Sequence, residues 1–214
     1  MRRSRTIVLT MAACAALTLP AAASGPLAPR DECSALPGFP DFRDALETAV
    51  QTRDAEALLD LASEHVKLDF GGGSGKEEWR ARLDRESGWA ELEEVIALGC
   101  GRGGPAGDGY VSFPWYFAKD LISADPFEAM IVTGNGVRLR SGPSLEARVI
   151  GEVSWDYVVL ADGAVQGGDF VQVETKDGRT GYMASRYLRS LIDHRLIAER
   201  DGGRWTITAF VAGD

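Results

Sequence analysis

Val137-Arg-Leu-Arg-Ser-Gly-Pro-Ser144 decides how the second half of this chain is read. A strand over 137–140 runs into a Ser-Gly-Pro-Ser turn, because proline has no amide to give to a strand ladder. Upstream, Ala129–Thr133 is a second short strand, and Gly134-Asn135-Gly136 between the two predicts a tight hairpin. Downstream, strands are expected at Ile150–Val153, Tyr157–Leu160, Phe170–Thr175 and Arg179–Met183, the last two turning at Lys176-Asp177-Gly178. Short strands with turns this closely spaced predict a small barrel. A final pair, His194–Glu199 and Arg204–Val211, turns at Asp201-Gly202-Gly203. The two-residue period of a strand places Trp205, Ile207, Ala209 and Val211 on one face. The barrel is complete by about Leu188, so this hairpin is expected to pack back on the N-terminal half.

Before Tyr110 the period is helical. Pro26, Pro29, Pro37 and Pro40 mark an irregular lead-in. Phe42, Ala45, Leu46, Ala49 and Val50 then share one helix face, with Asp41 placed as N-cap. A second helix from Asp54 buries Leu58, Leu61 and Ala62, and His65–Phe70 alternates as a strand. Ser74 and Glu77 form a capping-box pattern ahead of Trp79 and Leu83. A fourth helix runs from Trp89 through Leu92 and Ile96 to a stop at Gly99, with a glycine-rich loop over 101–109. The expected fold class is α+β: a helical N-terminal domain over 25–128, a small β-barrel over 129–189 and a C-terminal β-hairpin over 190–214.

Residues 1–24 read as a secretory signal peptide. Arg2, Arg3 and Arg5 precede an apolar run from Ile7 to Leu19, too short to span a bilayer comfortably, and Ala21-Ala22-Ala23-Ser24 supplies small residues for cleavage. Met11-Ala12-Ala13-Cys14 resembles a lipoprotein processing site, so a lipid anchor on Cys14 is the alternative to a periplasmic or secreted protein. Cleavage near Ser24 leaves two cysteines, Cys33 and Cys100, which an oxidising compartment predicts to be bonded. His65 and His194 are the only histidines and lie near neither cysteine in sequence, so no metal and no cofactor are expected. Without the three signal arginines, 20 basic residues face 32 acidic ones, a net charge of −12 that argues against nucleic acid and anionic membranes as partners.

The stretch 137–144 resembles the signature opening of bacterial SH3 (SH3b) domains. Val149-Ile-Gly-Glu-Val153, Phe170-Val-Gln-Val173, Asp177-Gly-Arg-Thr-Gly-Tyr182 and Ser185-Arg-Tyr-Leu188 are similar to the family's later strands and closing turn, in order. The resemblance covers about a third of the mature chain, residues 129–189, and implies that the barrel there is an SH3-like β-barrel. Two departures, Arg138 where the family has asparagine and a longer loop over 161–169, fall at the ligand-facing edge. Asp69-Phe-Gly-Gly72, Phe113-Pro-Trp-Tyr116 and the ending Ile207–Asp214 also resemble a group of uncharacterised exported bacterial proteins. Helices followed by a strand resemble cone-shaped nuclear-transport-factor-like folds as well.

The SH3 resemblance implies a binding module for peptidoglycan stem peptide or glycan, with a periplasmic protein partner, such as an inhibitor's target, as the alternative. Its ligand edge is expected where the Ser141–Ser144 turn and the Trp155–Tyr157 segment meet the Ser185–Leu188 turn. The candidate ligand-binding residues are Arg140, Ser141, Trp155, Asp156, Tyr157, Arg186 and Tyr187. Flat aromatic faces bind sugars and peptides at little entropic cost, and arginine donors suit carboxylates. Trp115 and Tyr116, after Pro114, are expected to cement the two halves.

No catalytic residues are assigned. Gly71-Gly-Gly-Ser-Gly-Lys76 sits where a phosphate loop belongs, but Glu77 stands where the hydroxyl residue is required. No Gly-x-Ser-x-Gly elbow is present, and the many carboxylate pairs belong to solvated helix faces. A hydrolase with its site in the N-terminal domain is the remaining enzymatic alternative.

Overall fold

The computed structural model describes residues 23–85, 87–103 and 109–213, so the signal segment, Cys14 and much of the 101–109 loop lie outside the described residues. The architecture is α+β with two sheets. The first half contributes β1 (Arg30–Asp31), α1 (Phe39–Thr52), α2 (Ala55–Asp60), β2 (Ala62–Lys67), α3 (Lys76–Leu83), α4 (Gly88–Ala97), β3 (Gly99–Arg102) and β4 (Tyr110–Phe113). A 3-10 turn at Trp115–Ala118 leads to β5 (Ala129–Val132), β6 (Val137–Arg140), β7 (Val149–Val153), β8 (Tyr157–Leu160), β9 (Phe170–Glu174) and β10 (Thr180–Ala184). A second 3-10 turn, Ser185–Tyr187, precedes β11 (Leu188–Ser190), β12 (Arg195–Asp201) and β13 (Arg204–Val211).

The first sheet has the order β1-β3-β4-β12-β13-β2. The N-terminal part is therefore helices on a sheet, and the final hairpin supplies two of that sheet's inner strands. β12 pairs antiparallel with β4, and β13 pairs in parallel with β2. This pairing also explains where β2 lies. The strand expected over 65–70 instead starts at Ala62, because Ile207 of β13 donates its amide to the Leu61 carbonyl at 2.8 Å and fixes the parallel register there. Ala62 thus opens the strand and does not close the preceding helix, whose N-cap Asp54 accepts from the Ala57 amide at 3.0 Å.

Three local expectations shift for physical reasons. Helix α1 begins at Phe39 behind a left-handed Gly38, with Pro40 in the first turn, where its missing amide costs nothing. Asp41 lies in that first turn, favourable for the helix dipole, and is not the N-cap; Phe39 is buried in its stead and Ala45 faces solvent. Ahead of α3, the Ser74 amide donates to Glu78 at 3.0 Å and not to Glu77, since Gly75 occupies the cap position. In β13 the register shifts between Ile207 and Ala209, which leaves Thr208 unpaired against β12. This bulge moves Phe210 onto the face of Trp205 and Ile207, where it stacks on Trp79 with centroids 5.8 Å apart, while Ala209 and Val211 stay outside that cluster.

The helix-and-sheet core gathers Phe39, Leu46, Leu58, Trp79, Leu92, Phe113 and Trp205. Cys33 and Cys100 are fully buried beside it and bonded, with Cα atoms 5.9 Å apart, where β1 runs parallel to β3. The bridge closes a loop of sequence separation 67. On the loop-entropy model such a closure stabilises by about 4 kcal/mol.

The second sheet has the order β11-β5-β8-β9-β10-β6-β7 around Val132, Leu139, Val158, Val171, Val173 and Met183. β9 and β10 form the hairpin expected at Lys176-Asp177-Gly178, with Gly178 at φ 79°. The hairpin expected at Gly134-Asn135-Gly136 does not exist. β5 pairs with β8 and β11, and β6 with β10 and β7. The backbone there is committed elsewhere: the Thr133 amide donates to the Tyr187 carbonyl at 2.9 Å, and the Gly134 carbonyl accepts from Trp155 at 3.0 Å. The Gly-Asn-Gly segment instead carries the chain from one part of the sheet to another. At Gly181 any side chain would meet the Arg140 carbonyl at 2.7 Å, which is how β10 lies this close on β6.

A third cluster joins the two sheets. Leu27, Trp115, Tyr116 and Ile131 are buried together, with Tyr157 and Leu191 packed against them. Arg189 of β11, 5 % exposed, reaches Glu94 of α4 at 2.8 Å. Burial pushes the Tyr116 phenol up to about 12, so this seam holds a neutral hydroxyl at physiological pH.

Candidate functional site

A cleft of about 330 Å³ opens on the second sheet. The Gly134–Val137 segment and Arg138 and Arg140 of β6 form one wall, Phe170 at the start of β9 and Ala184 at the end of β10 form the floor, and Arg186 and Tyr187 come from the turn after β10. Leu145, 58 % exposed, hangs over the rim.

Each wall is held by identifiable bonds. Arg140 is buried, and its guanidinium donates to the carbonyls of Leu145 and Ala147 at 2.7 and 2.9 Å. It braces the loop after β6, and those two bonds direct its charge into the protein. Ser141 donates its amide to the Arg148 carbonyl at 2.9 Å, narrowing the same loop, and does not line the cleft. The Arg186 guanidinium lies 4.9 Å over the Tyr187 ring, an exposed cation–π pair at the cleft's mouth. Ser185 anchors this turn by donating its amide to the Asp169 carbonyl at 2.9 Å and its hydroxyl to the Gly168 carbonyl. The longer 161–169 loop thus supports the turn that carries Arg186 and Tyr187. Arg138 is exposed, 4.0 Å from Glu152. No aspartate or glutamate lines the cleft, although the chain as a whole carries a net charge of −9.

Arg140, Arg186 and Tyr187 are therefore brought together as the sequence reading required. The Trp155–Tyr157 segment does not line the cleft. Trp155 has φ 42°, a left-handed conformation that costs a non-glycine residue about 1–2 kcal/mol. Its amide is bonded to Gly134 in the cleft wall, and its carbonyl accepts from Leu27 at the seam at 2.8 Å. Asp156 pairs with Lys176 at 2.5 Å, and Tyr157 lies under the Lys176 ammonium at 4.2 Å, both facing a different cavity at the seam. Arg138, Leu145 and Phe170 are cleft residues that were not selected from the sequence. Arg138 had a signal, its departure from the asparagine of the SH3 pattern.

The cleft, its strand order and its closing turn are those on which the 137–144 signature depends. Residues 135–189 match the bacterial SH3 domain. The match begins inside the Gly-Asn-Gly wall and ends in β11, so every cleft-lining residue but Gly134 falls within it. No curated protein matches the chain. Among solved structures, the chain is similar to an NTF2-like protein with a cystatin-like fold from Novosphingobium aromaticivorans, 14 % identical, covering 81 % of this chain and 79 % of that one with a TM-score of 0.28. It is also similar to a protein of unknown function with a cystatin-like fold from Nostoc punctiforme, 11 % identical, covering 81 % and 86 % with a TM-score of 0.24. At those scores neither adds to what the strand pairing itself establishes.

Outside the SH3 domain, the glycine run at 71–75 has a structural use. The Asp69 carboxylate accepts from the amides of Gly71 and Gly73, each at 2.8 Å, and from Arg82. The anion in this loop is the protein's own. The Arg82 hydrogen bond foremost, then the Gly73 amide, hold Asp69 down at about 2. A side chain at Gly73 would collide with both Asp69 and Arg82, at 2.1 and 2.2 Å. The N-terminal crevice that brings Glu91 within 3.5 Å of His194, beside Trp79 and Phe210, has a volume of about 40 Å³. That is room for about one water molecule. The described residues bring Asp31, Cys33 and Cys100 together in the manner of a metal site, but both sulfurs are spent in the disulfide.

Proposed function

We propose that the chain is an exported, non-catalytic binding protein whose SH3 domain holds a carboxylate-bearing ligand of the cell wall, a stem peptide attached to its glycan. The observation that carries this reading is the cleft itself: Arg138 and Arg186 at its surface, Tyr187 and Phe170 as aromatic walls, and no acid among its lining residues in an acidic protein. Charge-assisted hydrogen bonds from arginine to carboxylate are the strong class, and Arg186, with no carboxylate partner among the described residues, is left for a ligand while Arg138 is shared with Glu152. The match of residues 135–189 to the bacterial SH3 domain supports the ligand class. Export is supported by the bonded Cys33–Cys100 pair, since such bridges persist in oxidising compartments. Among the described residues no helix is long and apolar enough to cross a membrane.

Co-sedimentation of the folded protein with purified sacculi tests this reading. Retention that weakens with added salt is the expected result. A wild-type protein that stays in the supernatant at low salt removes the wall ligand and leaves a protein partner, docking on Leu145 and Tyr187, as the reading in its place.

A further inference from the structure

A cavity of about 460 Å³ lies where the lead-in, the segment after β4 and the SH3 domain meet. It shares no lining residue with the SH3 cleft. Three cations border it, and they are not equivalent. Lys119 is paired with Glu32 at 2.7 Å, and Lys176 with Asp156 at 2.5 Å. Arg30 has no carboxylate partner among the described residues. Its guanidinium lies over the Trp115 ring, with Cζ 3.8 Å from the centroid, and gives one bond, from Nη2 to the Pro26 carbonyl at 3.0 Å.

A guanidinium is a planar fork of N–H donors, and here the ring contact and the Pro26 bond restrain it without a carboxylate. Such a fork matches a carboxylate, and it is already ordered before any ligand arrives. Trp115, whose indole N–H is buried without an acceptor among the described residues, forms part of the same wall. The half-exposed Leu121 and the half-buried Tyr157 ring supply apolar surface beside it. The volume suits a small molecule, and the junction of two structural units is where such sites concentrate.

We propose that this seam cavity is a second binding site, for a small carboxylate with an apolar body, its carboxylate on Arg30 and its body against Leu121 and Tyr157. The walls come from both sides of the seam, so an occupant ties the SH3 domain to the helix-and-sheet part.

Phenylacetate and its uncharged counterpart phenylacetamide are suitable probes, titrated into the whole exported chain and followed by ligand-observed NMR and tryptophan emission. The expected result is phenylacetate binding at least about tenfold tighter than the amide, as a charge-assisted bond requires. Arg30→Gln should abolish that preference, and Arg30→Lys, which keeps the charge without the fork, should restore only part of it. Equal binding of acid and amide to the wild type, or no binding of either, overturns the proposal without reliance on any variant. A preference that survives in Arg30→Gln overturns the assignment to Arg30. Because the SH3 cleft is itself proposed to take carboxylates, the titration is repeated on Arg186→Gln: an unchanged preference there keeps the site at the seam whatever the sacculus result, and a preference lost there overturns the proposal.

Discussion

Trp205 is the residue whose removal should separate the two halves of this molecule. It is 3 % exposed on β13, edge-on to Phe39 with centroids 5.3 Å apart, tilted against Phe42 at 6.5 Å, and its indole N–H donates to the Pro37 carbonyl at 3.1 Å. Truncating a buried tryptophan to alanine costs about 3–5 kcal/mol, and the lost hydrogen bond adds about 1 kcal/mol. A total of about 4–6 kcal/mol is a large fraction of a domain's stability of about 5–15 kcal/mol. Trp205→Ala should therefore unfold the helix-and-sheet part at much lower urea, read by helical circular dichroism at 222 nm and by protease cleavage within α1 and α4. The SH3 domain has its own core of Val132, Leu139, Val173 and Met183 and should remain protected. Trp205→Phe, which keeps most of the ring but not the N–H, should cost about 1–2 kcal/mol. A loss below about 1 kcal/mol for Trp205→Ala, or an SH3 transition that shifts by as much as the helical one, would refute the assignment of the C-terminal hairpin to the first sheet's core.

Mass spectrometry of the exported protein without reductant should show Cys33 and Cys100 bonded, and reduction should lower stability by about 4 kcal/mol, with two free thiols as the contrary finding. Asp69 and Asp177 each have folded-state values of about 2 against an ordinary 3.8, so the unfolded chain binds protons first as pH falls. The stability they contribute is complete above about pH 5 and is lost as pH drops through 3.8 towards 2. Urea midpoints against pH should show that acid-side slope, flattened in Asp69→Asn. Arg140→Ala, which removes two charged donors from loop carbonyls, should cost about 1.5–3 kcal/mol and speed amide exchange over 141–148, whereas Arg186→Ala should change stability by less than about 0.5 kcal/mol.

How far the sequence reached depends on how local each determinant is. The Lys176-Asp177-Gly178 hairpin was legible because the turn and its two strands are contiguous. Gly134-Asn135-Gly136 carries the same kind of turn signal, yet its flanking amides and carbonyls belong to Tyr187 and Trp155, partners that no local pattern specifies. The start of β2 at Ala62-Ser63-Glu64 has no apolar alternation to announce it, and only parallel pairing to a strand about 140 residues later makes it one. Phe210 reads as solvent-facing in a regular strand and becomes core through the bulge at Thr208. At the cleft, Arg186 and Tyr187 were readable from the closing turn, while Leu145 and Phe170 arrive through loop bracing and strand order. Trp155, Asp156 and Tyr157 were expected at the ligand edge, but their neighbours are at the seam, because Leu27 of the lead-in donates to the Trp155 carbonyl.

Co-sedimentation with two sacculus preparations asks whether the SH3 cleft takes wall carboxylates on Arg186 and Tyr187. One preparation is native and the other has its peptide carboxylates converted to amides. Losing the charged donor and the ring together should cost about 2–6 kcal/mol of binding. Wild-type protein should pellet with native sacculi and far less with amidated ones, and Arg186→Gln combined with Tyr187→Ala, folded by circular dichroism, should stay in solution with both. Equal retention on native and amidated walls, or full retention of the double variant on native walls, would contradict recognition at the cleft.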